Sequence, residues 1–231
     1  IANTIIKGQS KAGAADPFWD DTAEMLLKAL IFYLIATRPP EEQNLASCAE
    51  MVRAAKSNNP NIIAETSCNY LWFCNEDYPR LGSRLKCNPS VKTPADRDAL
   101  RAALRDGLID TIGSDHAPHL LCEKDAPYTK APSGLPTIQQ SLPVLLTIAH
   151  ECEIPLTRIA SVFSEKAAEI YNLNRGKIAQ GFEADLVVFD YKKTFVVKAE
   201  DQKSKCGWTP YEGETLRGEI KSVYINGNKT I

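Results

Sequence analysis

Residues 108–119 read LIDTIGSDHAPH: an apolar strand pattern from Leu108 to Gly113, then an abrupt change to Ser114, Asp115 and His116. Just upstream, Thr93 has the character of an N-cap, with Pro94 at the first helical position and Asp96 three residues on. That pattern predicts a helix through about Arg105, ended by Gly107. Before it, Ile62 to Thr66 reads as a short strand. Strand, helix and strand at this spacing predict a parallel pair inside an α/β sheet or barrel. Polar residues directly after such a strand stand at its carboxyl edge, where α/β barrels place their chemistry.

Downstream, Leu135 to about Glu151 reads as helix despite Pro143, and two more helices follow to about Tyr171. Asp185–Asp190 and Ser222–Asn226 return to strand, the second turning at Asn226-Gly227 as a hairpin does. The chain changes character around Lys56–Pro60. Before that point it reads as helical. Asp16 suits an N-cap with Pro17 behind it, and Leu26, Leu27, Leu30, Phe32, Leu34 and Ile35 are too dense for a narrow stripe. Arg38-Pro39-Pro40 stops that helix, and Leu45–Ala55 reads as a second one.

Composition narrows the function. Lys and Arg number 27 against 29 Asp and Glu, a net charge of −2 that draws the chain neither to nucleic acid nor to an anionic membrane. The longest uncharged apolar run, Ala29–Ala36, falls far below the ~20 residues that span a bilayer. Lys7 and Lys11 are followed by Gly, Ala and Asp, which is not the pattern of a secretory leader. The seven cysteines form no CxxC pair, so reduced thiols in a cytoplasmic setting are expected, without a zinc knuckle.

Histidine is scarce: only His116, His119 and His150. Asp115 at a strand end with His119 four residues on offers a carboxylate and an imidazole to one pocket. The pair suits a metal ligand that doubles as proton shuttle, beside a donor for an anionic substrate. The bland readings stay open: Asp115 caps the following turn, and His119 is an exposed loop residue. His150, far along a helix, reads as a solvated or satisfied helix residue.

Residues 61–231 resemble the C-terminal part of the dihydroorotases, in the metal-dependent amidohydrolase superfamily. The stretches that carry the resemblance are KCNPSVKTPADRDAL (86–100), IDTIGSDHAPH (109–119), EKDAPYTKAPSGLP (123–136) and GKIAQGFEADLVVFD (176–190). The resemblance implies zinc chemistry, with Asp115 as metal ligand and general base. It implies substrate contacts at Asn88 and His119 and, through backbone, at Ser133 and Gly134. The implied reaction is reversible hydrolysis of L-dihydroorotate to N-carbamoyl-L-aspartate in pyrimidine biosynthesis, with allantoin or hydantoin as alternative substrates. The first quarter, IANTIIKGQ…DPFWDDTAEMLLKALIFYLI…PPEEQNLASCAEMVRAA, instead resembles a fragment of the coupling-protein ATPases of conjugative type IV secretion. The P-loop of that family is absent, so no ATPase function carries over.

The expected organisation is therefore an unrelated α-helical hairpin (1–56), a junction (57–60), the last strands and helices of a (β/α)8 TIM barrel (61–172) and part of a small β-domain (173–231). Two departures stand out. Asn69-Tyr70 replaces a His pair often found in the family, which bears on local packing rather than chemistry, and Lys92 replaces an Arg. The larger departure is that the family's other metal ligands lie upstream of the matched region, and the first sixty residues here contain no histidine. A binuclear zinc site is thus incomplete, since one carboxylate does not hold a catalytic zinc. The chain alone is expected to be inactive. Two partner arrangements stay open, a homodimer and a complementing N-terminal half. The rival readings are a non-catalytic dihydroorotase-like partner and a binding module derived from the coupling protein.

Overall fold

The computed structural model describes residues 3–6, 37–40 and 44–231. Asn44 opens the first described helix, α1 (Leu45–Asn58), its side chain accepting the Ser47 amide at 3.0 Å. Strand β2 (Ile62–Ser67) follows and runs directly into the one-turn helix α2 (Cys68–Trp72). Helix α3 (Pro94–Arg105) begins as its sequence dictates. The Thr93 hydroxyl accepts the Asp96 amide, and the Asp96 carboxylate accepts the Thr93 amide at 3.1 Å. It returns the chain to β3 (Thr111–Gly113), which pairs with β2 in parallel, Glu65 opposite Thr111 and Ser67 opposite Gly113.

Strand β3 is shorter than the six-residue pattern predicts, for an electrostatic reason. The Ala64 amide donates to the Asp110 carboxylate at 2.7 Å, while the Asp110 amide donates to the Ala64 carbonyl. A side-chain oxygen thus stands where a ladder carbonyl would accept, and regular pairing starts one residue later. The same carboxylate takes the Lys56 ammonium, which also reaches the Leu108 carbonyl at 2.8 Å. This pins the end of α1 to the base of β3.

Two features depart from a purely helical leading segment. Strand β1 (Asn3–Ile6) pairs antiparallel with β2, giving a sheet of order β1-β2-β3. Helix α1 also joins the core, through Val52 with Cys48 and Ala49 against it. The helix expected after Asp16 lies outside the described residues.

Helix α4 (Ser141–Glu151) starts six residues later than its apolar pattern suggests. Pro143 falls in its first turn, where a missing N–H costs nothing. The residues ahead of it are held in a turn instead, with the amides of Thr137 and Ile138 donating to His116 Nδ1 at 3.0 and 3.3 Å. Helix α5 (Leu156–Ala160) passes through a π turn, Ser161–Glu165, into α6 (Lys166–Ile170). Leu71, Phe73, Leu104, Leu145, Ile148 and Tyr211 are buried together, so α2, α3 and α4 share one core.

The C-terminal strands are longer than their apolar cores alone suggest: β4 (Leu186–Val196) and β5 (Thr215–Ile225) pair antiparallel, with β6 (Asn228–Lys229) beyond. Register shifts near Val188 and Asp190 let the polar half of β4 stay in the ladder. The β5–β6 turn holds Asn226 and Gly227 at φ 50° and 77°, the paired positive φ that a two-residue hairpin needs. Among the described residues, no helix is long and apolar enough to cross a membrane.

Candidate active site

Strand β3 delivers Asp115 to the carboxyl edge of the sheet, as its sequence pattern requires. Its backbone is left-handed, φ 48°, a conformation that costs a non-glycine residue and tends to persist where the surroundings over-determine it. The carboxylate lines a cavity of about 120 Å³ together with Glu65, Ser67, Tyr70, Asn88 and Gly113. Asp115 and Asn88 are therefore brought to one pocket from separate loops.

Burial is the largest influence on the Asp115 carboxyl and raises its pKa from the ordinary value, while the Asn69 side chain works in the opposite sense. Asn69 Nδ2 lies 3.5 Å from Asp115 Oδ2, and the Tyr211 hydroxyl donates to Asn69 Oδ1 at 3.1 Å. The tyrosine thereby fixes which end of the amide faces the carboxylate. Tyr70 donates its hydroxyl to the Pro89 carbonyl at 2.9 Å, beside Asn88. Asn69 and Tyr70 thus touch the site itself, which their sequence departure from the family did not signal. Thr66 Oγ1 and Ser67 Oγ are buried at the same cavity without a hydrogen-bond partner among the described residues. Buried hydroxyls left this way ask for a water or a ligand atom.

His119, Ser133 and Gly134 form a second group. His119 Nε2 and the Ser133 carbonyl are 3.1 Å apart, and the His119 carbonyl accepts the Trp208 indole N–H at 2.8 Å. Gly134 donates its amide to the Lys86 carbonyl at 3.0 Å, two residues before Asn88. Both groups are therefore joined through the backbone at Lys86. Lys92 turns onto its own loop, donating to Ser90 O and Oγ at 2.8 and 2.7 Å. His150 is exposed on the last turn of α4, edge-on to Tyr191 at 6.4 Å between ring centres.

Among the described residues, no three His, Cys, Asp or Glu side chains come together to hold a metal ion. His116 is held by its Nδ1, which accepts the backbone amides of Thr137 and Ile138. One carboxylate falls short of the three or more protein ligands that a catalytic zinc takes. These residues do not by themselves fit a zinc site. What the residues of this cavity can do is accept a proton at Asp115 and offer the Asn88 side chain and the Thr66 and Ser67 hydroxyls to a small polar ligand.

The sequence similarities agree with that chemistry. The chain is 35% identical over 179 residues to a protein named dihydroorotase from Clostridioides difficile, a match covering 77% of this chain and 42% of that protein. It is 38% identical over 150 residues to a dihydroorotase from Halobacterium salinarum, covering 64% of this chain and 36% of that one. Among solved structures, L-hydantoinase (dihydropyrimidinase) from Arthrobacter aurescens superposes with a TM-score of 0.76 at 27% identity, covering 80% of this chain and 42% of that one. The chain thus spans about two-fifths of the length of the relatives it matches. These similarities imply an α/β fold of the TIM-barrel type. The family model for the amidohydrolases matches residues 24–230, and the chain belongs to the amidohydrolase family.

Proposed function

We propose that this chain is the substrate-contacting, C-terminal portion of a dihydroorotase, hydrolysing L-dihydroorotate to N-carbamoyl-L-aspartate in the cytoplasm when its remaining barrel is supplied. The observation that carries the reading is the convergence of Asp115 and Asn88 on one polar cavity, with the Ser133–Gly134 loop tied to the same segment through Lys86. Water oxygen attacks the ring carbonyl carbon, the ring C–N bond breaks, and Asp115 carries the proton from water to the leaving nitrogen. A carboxyl group whose pKa is raised by burial is suited to that transfer. Asn88, His119 and the Ser133–Gly134 backbone hold the substrate carboxylate and ring amide.

Zinc belongs to this reading only with donors from a polypeptide carrying the missing half; a homodimer is a separate partner arrangement and is not asked to supply them. The leading residues 1–56 are read as a coupling-protein-like fragment joined at 57–60 to barrel residues 61–172 and β-domain residues 173–231. The likeness to a hydantoinase structure makes a hydantoin the alternative substrate.

The test is an assay of the pure chain with zinc, alone and mixed with the N-terminal portion of a dihydroorotase. The expected outcome is no turnover alone and dihydroorotate hydrolysis in the mixture, faster than hydantoin hydrolysis. Turnover by the chain alone, or a stable mixture that stays inactive, contradicts the reading.

A further inference from the structure

Lys124 sits in a charged run, Glu123-Lys124-Asp125, that looks like solvated surface, yet its side chain is 0% exposed. Its ammonium donates to the carbonyls of Lys86 and Pro132 at 2.9 Å each and to that of Gly134 at 3.0 Å. All three N–H bonds of the ammonium are used, and all three acceptors are backbone. The acceptors belong to two loops that are otherwise far apart in sequence. One leads to Asn88, and the other is Pro132–Gly134, which carries Ser133.

A second lysine works in the reverse direction. Lys86 sends its own ammonium to the carbonyls of Tyr128 and Ala131, both at 2.7 Å. The two lysines therefore cross, each holding the loop that the other departs from. Burying an ammonium is costly unless every proton finds an acceptor. Burial pushes the Lys124 pKa down to about 8. A surface lysine would give equal solubility without that cost, so the placement answers to the loops it joins.

We propose that Lys124 is a positioning residue that sets the substrate-contacting loops, Lys86–Asn88 and Pro132–Gly134, in register with each other. The assignment of those loops to substrate rests on the function proposed above. Charge-assisted hydrogen bonds to three carbonyls define a direction for each peptide plane, and with it the direction of the amide and side chain beside it. Lysine suits this because its three donors fan out tetrahedrally, whereas the planar fork of arginine favours carboxylates and phosphates.

The experiment compares the full chain with its Lys124→Met variant, which keeps the length of the side chain and removes its donors. Amide hydrogen exchange is followed by NMR at Gly134, whose N–H bonds to Lys86 O, and at Cys152 and Ile154, which close the end of α4. Exchange at Gly134 is expected to rise tenfold or more while Cys152 and Ile154 hold steady. No change at Gly134, or an equal rise at all three, overturns the proposal. Dihydroorotate titrated into both proteins adds the functional readout, with affinity expected to fall about tenfold in the variant. Equal affinity in both overturns the positioning role. Failure of the unaltered chain to bind overturns the substrate assignment instead, and the exchange data still decide whether Lys124 joins the loops. If Lys124→Met does not fold, the unaltered chain still gives an answer. A slowly exchanging Lys124 ammonium coupled across hydrogen bonds to the Lys86, Pro132 and Gly134 carbonyls supports the proposal, and exchange at the rate of a free lysine overturns it.

Discussion

Asp115→Asn is expected to reduce dihydroorotate hydrolysis about a thousandfold in the complemented enzyme, the middle of the range for losing a general base. The substitution keeps the volume and leaves a hydrogen-bonding partner for Asn69, so binding and folding are expected to change little. The left-handed backbone at this position, φ 48°, is also among the few that asparagine tolerates well. The loss therefore reports on the carboxylate, as general base and metal ligand, rather than on the fold. A steady-state assay checks it: kcat is expected to fall with KM nearly unchanged. A fall confined to KM contradicts the role given to the carboxylate.

Gly134→Ala is expected to damage the same site through the backbone. Gly134 has φ 135°, which side chains rarely adopt, and an added Cβ would meet the Ala117 carbonyl at 2.6 Å and the Ala117 Cβ at 2.7 Å. Its next neighbour is His119 Cδ2 at 3.2 Å. The close partners are backbone and a short side chain, so nothing swings aside cheaply. Strain and overpacking together amount to ~3 kcal/mol. Relief requires the Pro132–Gly134 loop and the Ala117–His119 segment to move apart. Thermal unfolding should therefore show a lower Tm, and dihydroorotate affinity should fall with it. An alanine variant of unchanged Tm and affinity contradicts the tight approach that the fold describes.

Much of this architecture was legible in local sequence. Thr93, Pro94 and Asp96 named the start of α3, and Asn226-Gly227 named the terminal hairpin, because caps and tight turns depend on neighbours within a few residues. Asp115 was legible as a candidate because a polar residue at the end of an apolar strand has a predictable place in an α/β layer. The errors in extent have physical causes of the same scale. Asp110 substitutes a side-chain oxygen for a ladder carbonyl and shortens β3. Pro143 belongs to a first helical turn, not an interior one, and moves the start of α4.

What sequence did not show depends on partners distant along the chain. Asn69 meets Asp115 across 46 positions and Tyr211 across 142, and no local pattern reports either meeting. Lys124 is hidden by its own neighbours, since a Glu-Lys-Asp run ordinarily marks a solvated face. Strand β1 was masked by helical text around it, and only its pairing to β2 reveals it.

The measurement that bears most directly on this account is an NMR titration of the full chain with dihydroorotate. Asn88, His119, Ser133 and Gly134 are all in this polypeptide, so weak saturable binding is expected without any missing half. Shifts are expected only at residues 86–89, 115–119 and 131–135. Saturable shifts that cluster elsewhere, or none at millimolar ligand, would contradict it.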